Sequence, residues 1–261
     1  MIDRLLEIIE EAGRRIMEIY NRMEASSIKI KGDGSPLTEA DLASHNYIVS
    51  QLEQLPEQYP ILSEENDQTV PYEQRKSWER FWCVDPLDGT KDFVQKNGEF
   101  VVNISLIEGN TPILGLVHVP VRGVTYIAER GNGAFLYSSN EFHPITVSPV
   151  HNTVKVVMSR NHCNEETRKL VGKIGLVHEE AVIEAVNVGS ALKFLLVAEG
   201  SAHYYPRMVP TMEWDTAAPQ IIVEEAGGKL ISLETGAPLT YNKECLRNPF
   251  IFTGIDLEPL N

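Results

Sequence analysis

The densest chemistry in the chain lies in Asp85-Pro86-Leu87-Asp88-Gly89-Thr90-Lys91-Asp92-Phe93. The apolar run Phe81-Trp82-Cys83-Val84 leads into it and reads as a short core strand bounded by a turn. Asp followed by Pro suits a type I turn, which brings the Asp85 and Asp88 carboxylates and the Leu87 carbonyl towards one point. Gly89-Thr90 then lets the backbone approach closely and present N–H groups. Carboxylates, a carbonyl and N–H donors in one small space suit a hard cation and a phosphate. The alternative is that Asp-Pro and Asp-Gly merely mark turns.

Two further segments join this block. Ser63-Glu64-Glu65-Asn66 follows a second strand-like run, Tyr59-Pro60-Ile61-Leu62. Glu213-Trp214-Asp215-Thr216-Ala217-Ala218 opens a helical segment that reaches Ala226 and stops at Gly227-Gly228. Together the blocks resemble, in order and over nearly the whole chain, the inositol monophosphatase superfamily of Mg²⁺-dependent, Li⁺-sensitive phosphatases. That resemblance implies a metal site of Glu64, Asp85, the Leu87 carbonyl, Asp88 and Asp215, with Asp85 bridging two ions. Two or three Mg²⁺ are expected, Mn²⁺ being the alternative, since oxygen-only ligation disfavours zinc. Phosphate monoesters are very inert, and a pair of divalent ions roughly 3.5–4 Å apart is the usual answer. Thr90 and Asp41 match the family's water-activating pair; Asp41 is otherwise a plain capping residue of Thr38-Glu39-Ala40-Asp41. Glu65 matches a second acid that orients water or a third metal, and is otherwise a solvated acid.

Residues outside these blocks address the substrate. Lys91-Asp92 stands where inositol-phosphate enzymes usually read Thr-Asn. Tyr204-Tyr205-Pro206-Arg207-Met208 carries a cation where they carry an acid, and Arg can hold phosphate oxygens in a fork. Gly189-Ser190-Ala191-Leu192-Lys193 puts a hydroxyl, a helix N-terminus and a Lys near one anion site, and Ser159-Arg160-Asn161-His162 follows a strand end. The set resembles the CysQ-type 3'(2'),5'-bisphosphate nucleotidases. This implies hydrolysis of adenosine 3',5'-bisphosphate to AMP and phosphate, and of 3'-phosphoadenylyl sulfate to adenylyl sulfate, in sulfur assimilation. Gly89, Thr90 and Lys91, with the metal-site acids Glu64, Asp88 and Asp215, would hold the scissile phosphate; Ser190, Lys193 and Arg207 would face the rest of the nucleotide. Lys193 as a surface residue and Arg207 as a structural ion pair are the alternatives, and His162 stands evenly between contact and bystander. An inositol or fructose bisphosphate phosphatase is the rival activity, and a non-catalytic protein-binding module the rival class.

The remaining sequence bounds what must position these groups. Its 261 residues, 43% hydrophobic, are enough for a sizeable core in one large or two modest domains. A net charge of −14 disfavours nucleic acid and anionic lipid as partners. Three cysteines without CxxC spacing argue against a disulfide framework or zinc, and Cys83 reads as core. Leu5, Leu6, Ile8, Ile9, Ala12, Ile16, Ile19 and Tyr20 mark an amphipathic helix over about 2–23 rather than a signal peptide, and no run suggests a membrane span. A second helix is expected from Thr38 towards Leu55, then an antiparallel meander over 101–137. Beyond Pro149 strands alternate with helices: a strand at 154–158, a helix at 165–173, a strand at 182–188 and a helix at 190–198. Pro219 is expected in the first turn of the last helix, with some effect on the placement of Asp215. The reading is an α+β N-terminal half (1–149, metal-binding) and an α/β C-terminal half (150–261). The resemblance implies the layered α-β-α-β-α sandwich of the inositol monophosphatase and fructose-1,6-bisphosphatase type. The expected location is cytoplasmic, with the cytoplasmic face of the inner membrane as the alternative; the oligomeric state is not legible.

Overall fold

In the structure, a computed structural model that describes residues 1–22, 29–30, 36–66, 70–158 and 165–260, the chain opens with helix α1 (Ile2–Arg22). A two-stranded ribbon follows, β1 (Lys29–Ile30) antiparallel to β2 (Pro36–Leu37), and then α2 (Glu39–Leu52). A seven-stranded sheet comes next, in chain order: β3 (Ile61–Ser63), β4 (Arg80–Asp88), β5 (Val101–Glu108), β6 (Thr111–Val119), β7 (Val124–Glu129), β8 (Gly133–Ser138) and β9 (Glu141–Ile145). Only its β3–β4 pair is parallel. Short helices α3 (Tyr72–Arg75) and α4 (Thr90–Val94) flank β4. The second sheet has five strands, β10 (Thr153–Met158), β11 (Val182–Asn187), β12 (Tyr204–Arg207), β13 (Lys229–Ser232) and β14 (Ile251–Gly254), ordered β11-β10-β12-β14-β13. Its helices are α5 (Glu165–Val177), α6 (Leu192–Ala198) and α7 (Glu213–Glu225).

Hydrophobic patterning stacks these elements. The α1 stripe Leu5, Ile8, Ile9, Ala12 and Ile16 is fully buried against α2 and the seven-stranded sheet. Strand β5 is buried on both faces. Val102, Ile104 and Leu106 join the α1–α2 core, whereas Val101 and Ile107 join the core built with α6 and α7. Helix α7 lies on β4–β8, α6 packs on α7 and on the five-stranded sheet, and α5 closes that sheet's outer side beside a 3-10 turn, Glu258–Leu260. The result is the expected α-β-α-β-α order of layers. Gly115 on β6 permits a close approach of α7: a Cβ there would lie 2.6 Å from Ile221 Cγ2 and 2.7 Å from the Ala218 carbonyl oxygen.

Several local expectations change. The turn at Asp85 is instead a continuation of β4. Asp85 pairs with Asn103 and Asp88 with Val101, so β4 carries one extra residue and bulges. Pro86, which has no N–H to give to a ladder, sits within that bulge. Helix α2 ends at Leu52 rather than Leu55. Pro36 belongs to β2, not to a loop. Pro219 lies inside α7, in the second turn rather than the first. It denies a hydrogen bond to the Asp215 carbonyl but leaves the Asp215 side chain in place, as described below.

Candidate active site

Asp85, Asp88 and Asp215 converge: each offers a carboxylate oxygen, and these lie within 4.8 Å of one another. The β4 bulge supplies the first two. Asp85 Oδ1 accepts from the Leu87 N–H at 3.0 Å, an Asx bond that folds the bulge over Pro86. The carbonyl of Pro86 accepts from Ser44 Oγ at 2.7 Å, tying the bulge to α2. Asp215 is the third residue of α7, and its Oδ2 accepts from the Met212 N–H at 2.8 Å, which caps the helix and aims the other oxygen outward.

Burial pushes the Asp85 carboxyl well above the usual range, and the neighbouring charges of Glu64, Asp88 and Asp215 add to this. Burial likewise raises Asp88, although Lys193 and the Ala191 N–H oppose it, and lifts Asp215 to about 7. Glu64, on the turn after β3, shares a side-chain hydrogen bond with Asp85, and its N–H donates to the Val84 carbonyl at 3.1 Å. Clustered carboxylates that resist ionisation when alone are what a hard cation stabilises, so the donor set fits a magnesium-type ion. Glu65 lies on the same turn, where its charge acts on His45. The His45 Nδ1 is 2.9 Å from Ser63 Oγ.

Thr90 begins α4, just after Gly89 at φ +94°. Its hydroxyl lies 3.1 Å from Asp41 Oδ1 and 3.3 Å from the Leu87 carbonyl oxygen. Asp41 is 1% exposed, and its Oδ2 accepts from both the N–H and the hydroxyl of Thr38, each at 2.7 Å. Thr38 and Asp41 thus form the capping box of α2, and Asp41 holds Thr90 as well. The capping and orienting readings of Asp41 are therefore compatible.

Across from Gly89 lies the turn 189–191. A Cβ on Gly89 would come within 3.0 Å of Ser190 Cβ and 2.8 Å of the Glu99 carbonyl oxygen. Ser190 precedes α6 at φ +46° rather than starting the helix. The N–H there is not free for an anion: Ala191 donates to Asp88 Oδ2 at 2.6 Å. Glu99 Oε2 accepts from the Gly189 N–H at 2.7 Å.

Lys193 is buried rather than on the surface. Its Nζ donates to the Ser190 carbonyl at 2.6 Å and lies 5.7 Å from the Tyr205 ring centre. Burial and the Arg207 charge hold it down to about 8. Arg207 Nη1 lies 3.4 Å from the Tyr205 hydroxyl, and its Nε is buried with no hydrogen-bond partner. No ion pair of Arg207 exists among the described residues, against the alternative of a structural salt bridge. Lys91 is exposed on α4. His162 lies outside the described residues. Sequence reasoning read Thr38 only as a helix cap and gave no role to Glu99 or Tyr205.

Comparison with known proteins gives the family. The model of the inositol monophosphatase family matches residues 1–249. The chain is 40% identical over 250 residues to the 3'(2'),5'-bisphosphate nucleotidase CysQ of Escherichia coli K12, covering 95% of this chain and 97% of that one. It is 36% identical to CysQ of Aggregatibacter actinomycetemcomitans, covering 98% and 93%. Among solved structures, CysQ from Bacteroides thetaiotaomicron superposes with a TM-score of 0.85 at 35% identity over 97% of each chain.

Proposed function

Because the chain belongs to the inositol monophosphatase family, we propose that it is a 3'(2'),5'-bisphosphate nucleotidase, a phosphoric monoester hydrolase acting on the 3'-phosphate of adenosine 3',5'-bisphosphate. 3'-Phosphoadenylyl sulfate is the second substrate, and sulfur assimilation the setting. The observation that carries this beyond a generic phosphatase is the pair of buried Lys193 and half-buried Arg207 beside the acid cluster, with Arg207 Nε buried and unpartnered. Two cations so placed suit a second phosphate, which inositol 1-phosphate lacks.

Glu64, Asp85, the Leu87 carbonyl, Asp88 and Asp215 would hold two Mg²⁺, with Glu65 near a third or near the water. When bound, such ions supply Lewis-acid stabilisation of the leaving oxygen and make water acidic enough to attack. The chain's own part is orientation. Asp41, fixed by Thr38, takes the Thr90 hydroxyl proton into a hydrogen bond, so the Thr90 lone pairs face the attacking water. Gly89 lets the β4 bulge pass close to Ser190 and the Glu99 backbone, its N–H would face the scissile phosphate with Thr90, and Lys91, exposed on α4, would reach that phosphate from solvent. Residues 1–149 form the metal-binding subdomain and 150–261 complete the site. Lithium inhibits by entering the metal site. No described helix is long and apolar enough to cross a membrane, and the enzyme works in the cytoplasm.

The deciding experiment is Mg²⁺-dependent phosphate release from adenosine 3',5'-bisphosphate beside inositol 1-phosphate and fructose 1,6-bisphosphate. Preference for the nucleotide is expected. Preference for either sugar phosphate would overturn the specificity and keep the hydrolase; release from none would point to a binding module.

A further inference from the structure

The first turn of α7, which carries Asp215, is gripped by chain that comes after the helix. Glu213 is 0% exposed. Its carboxylate accepts from the Asn242 N–H at 2.7 Å, the Lys243 N–H at 2.9 Å and Lys243 Nζ at 2.7 Å. Asn248 Nδ2 donates to the Met212 carbonyl at 2.7 Å and to Thr216 Oγ1 at 2.9 Å, bracketing Asp215 from both sides in sequence.

The same turn is tied to the segment that leaves Glu64. Arg75, 3% exposed, ends α3. Its Nη1 donates to Asn242 Oδ1 at 2.8 Å and its Nη2 to the Lys243 carbonyl at 3.2 Å, while Asn242 Nδ2 donates back to the Arg75 carbonyl at 2.7 Å. Asn242 holds φ +64°, which brings its side chain and its N–H to different partners. Two distant stretches of chain, one following Glu64 and one opening α7, therefore meet on a single turn.

Such a clamp has a physical purpose. The carboxylates of Asp85, Asp88 and Asp215 repel one another, and Asp215 is the one of the three carried by α7 rather than by β4. Glu213 resists that by accepting three hydrogen bonds, and Lys243 neutralises it, so Glu213 brings no unbalanced negative charge beneath the acids. We infer that Glu213, with Asn242, Lys243, Asn248 and Arg75, is a positioning residue that sets Asp215 against the carboxylates of β4. This rests on the reading of those acids as metal ligands.

The test is Mn²⁺ binding, by calorimetry and by the loss of free Mn²⁺ spin resonance, with thermal unfolding in EDTA alongside. In Glu213→Gln the amide turns donors towards Lys243, and in Asn248→Ala the bonds to Met212 and Thr216 go while the ion pair stays. Both variants should weaken Mn²⁺ binding, by about 10- to 100-fold for Glu213→Gln, as loss of groups behind metal ligands does. If Glu213→Gln does not fold, Asn248→Ala carries the same test. Lowered melting temperatures with Mn²⁺ affinity within twofold of wild type would make the clamp purely structural and overturn the inference. Wild-type protein that binds Mn²⁺ yet hydrolyses no bisphosphate would overturn the substrate reading alone, the clamp then being judged on affinity.

Discussion

The Thr90 hydroxyl lies 3.1 Å from Asp41 Oδ1, and the other oxygen of that carboxylate is fully engaged by Thr38. One buried acid thus starts a helix and orients a hydroxyl on a different element. Thr90→Ala should lower kcat by about 10²-fold or more, the usual range for a lost proton-handling group, with little change in stability. Thr90→Ser should restore most of it. Steady-state phosphate release checks this; a Thr90→Ala enzyme within threefold of wild type would remove Thr90 from the chemistry.

Asp88 is half-buried, repels Asp85 and Asp215, and is itself offset by Lys193, Arg207 and the Ala191 N–H. Asp88→Asn should reduce turnover by orders of magnitude while the protein stays folded. In EDTA the variant should melt no lower than wild type, because one repelling charge is gone. Saturating Mg²⁺ should raise the wild-type melting temperature, in line with about 2.7 kcal/mol at a hundredfold excess over Kd, and raise the variant's far less. Equal Mg²⁺ responses would argue against Asp88 as a ligand.

Arg207 faces the site with a partnerless Nε. Arg207→Ala should raise KM for adenosine 3',5'-bisphosphate by roughly 10- to 100-fold, the worth of charged hydrogen bonds, and leave a simple aryl phosphate almost unaffected. Equal losses on both substrates would mean that Arg207 supports the fold rather than the second phosphate.

Gly115→Ala places a methyl group 2.6 Å from Ile221 Cγ2 and 2.7 Å from the Ala218 carbonyl oxygen, which belongs to helix backbone and cannot rotate away. About 1–3 kcal/mol of destabilisation should follow, measured by urea unfolding. Helix α7 would lift from β6 and carry Asp215 with it, so metal affinity should fall together with stability.

His118 on β6 is 4% exposed, bonded through Nδ1 to Thr125 Oγ1 at 2.9 Å, and packed under Gly13 of α1. Glu10 and Arg14 of α1 line the same cavity. Burial depresses the imidazole to about 4. The unfolded chain takes up a proton near pH 6.5, which the folded protein refuses until about pH 4. Stability contributed by neutral His118 is therefore complete above pH 6.5 and lost progressively between 6.5 and 4, by about 3 kcal/mol in all. Urea unfolding at pH 7.5 and 5 checks this, and His118→Gln should flatten the difference.

What the sequence could convey follows from the range of each signal. The capping box at Thr38–Asp41, the stripe of α1 and the strand-like runs of the meander, separated by Gly, Pro and Asn, are local patterns, and they appear as read. The Asp85, Asp88 and Asp215 set was legible because its blocks match a family in order. Strands β12, β13 and β14 were not, because each is four residues long and takes its form from neighbours remote in sequence. The same holds for Glu99, which acts on Gly189, and for Glu213, which acts on Asn242 and Lys243. The burial of Lys193 was invisible because its helix position alone allows either face.

The bulge in β4 has a consequence for parity. In a regular strand, residues three apart point to opposite sides of the sheet. Asp85 and Asp88 stand opposite Asn103 and Val101, which share a side, because one residue of β4 is not counted by the ladder. Two acids that would otherwise straddle the sheet therefore converge on one side of it. Shortening Asp85-Pro86-Leu87-Asp88 by one residue would preserve both carboxylates in the sequence. It would still ruin the site, because the strand would have to abandon either the bulge or its alignment with β5. The spacing of this block is thus a geometric instruction as much as a list of ligands.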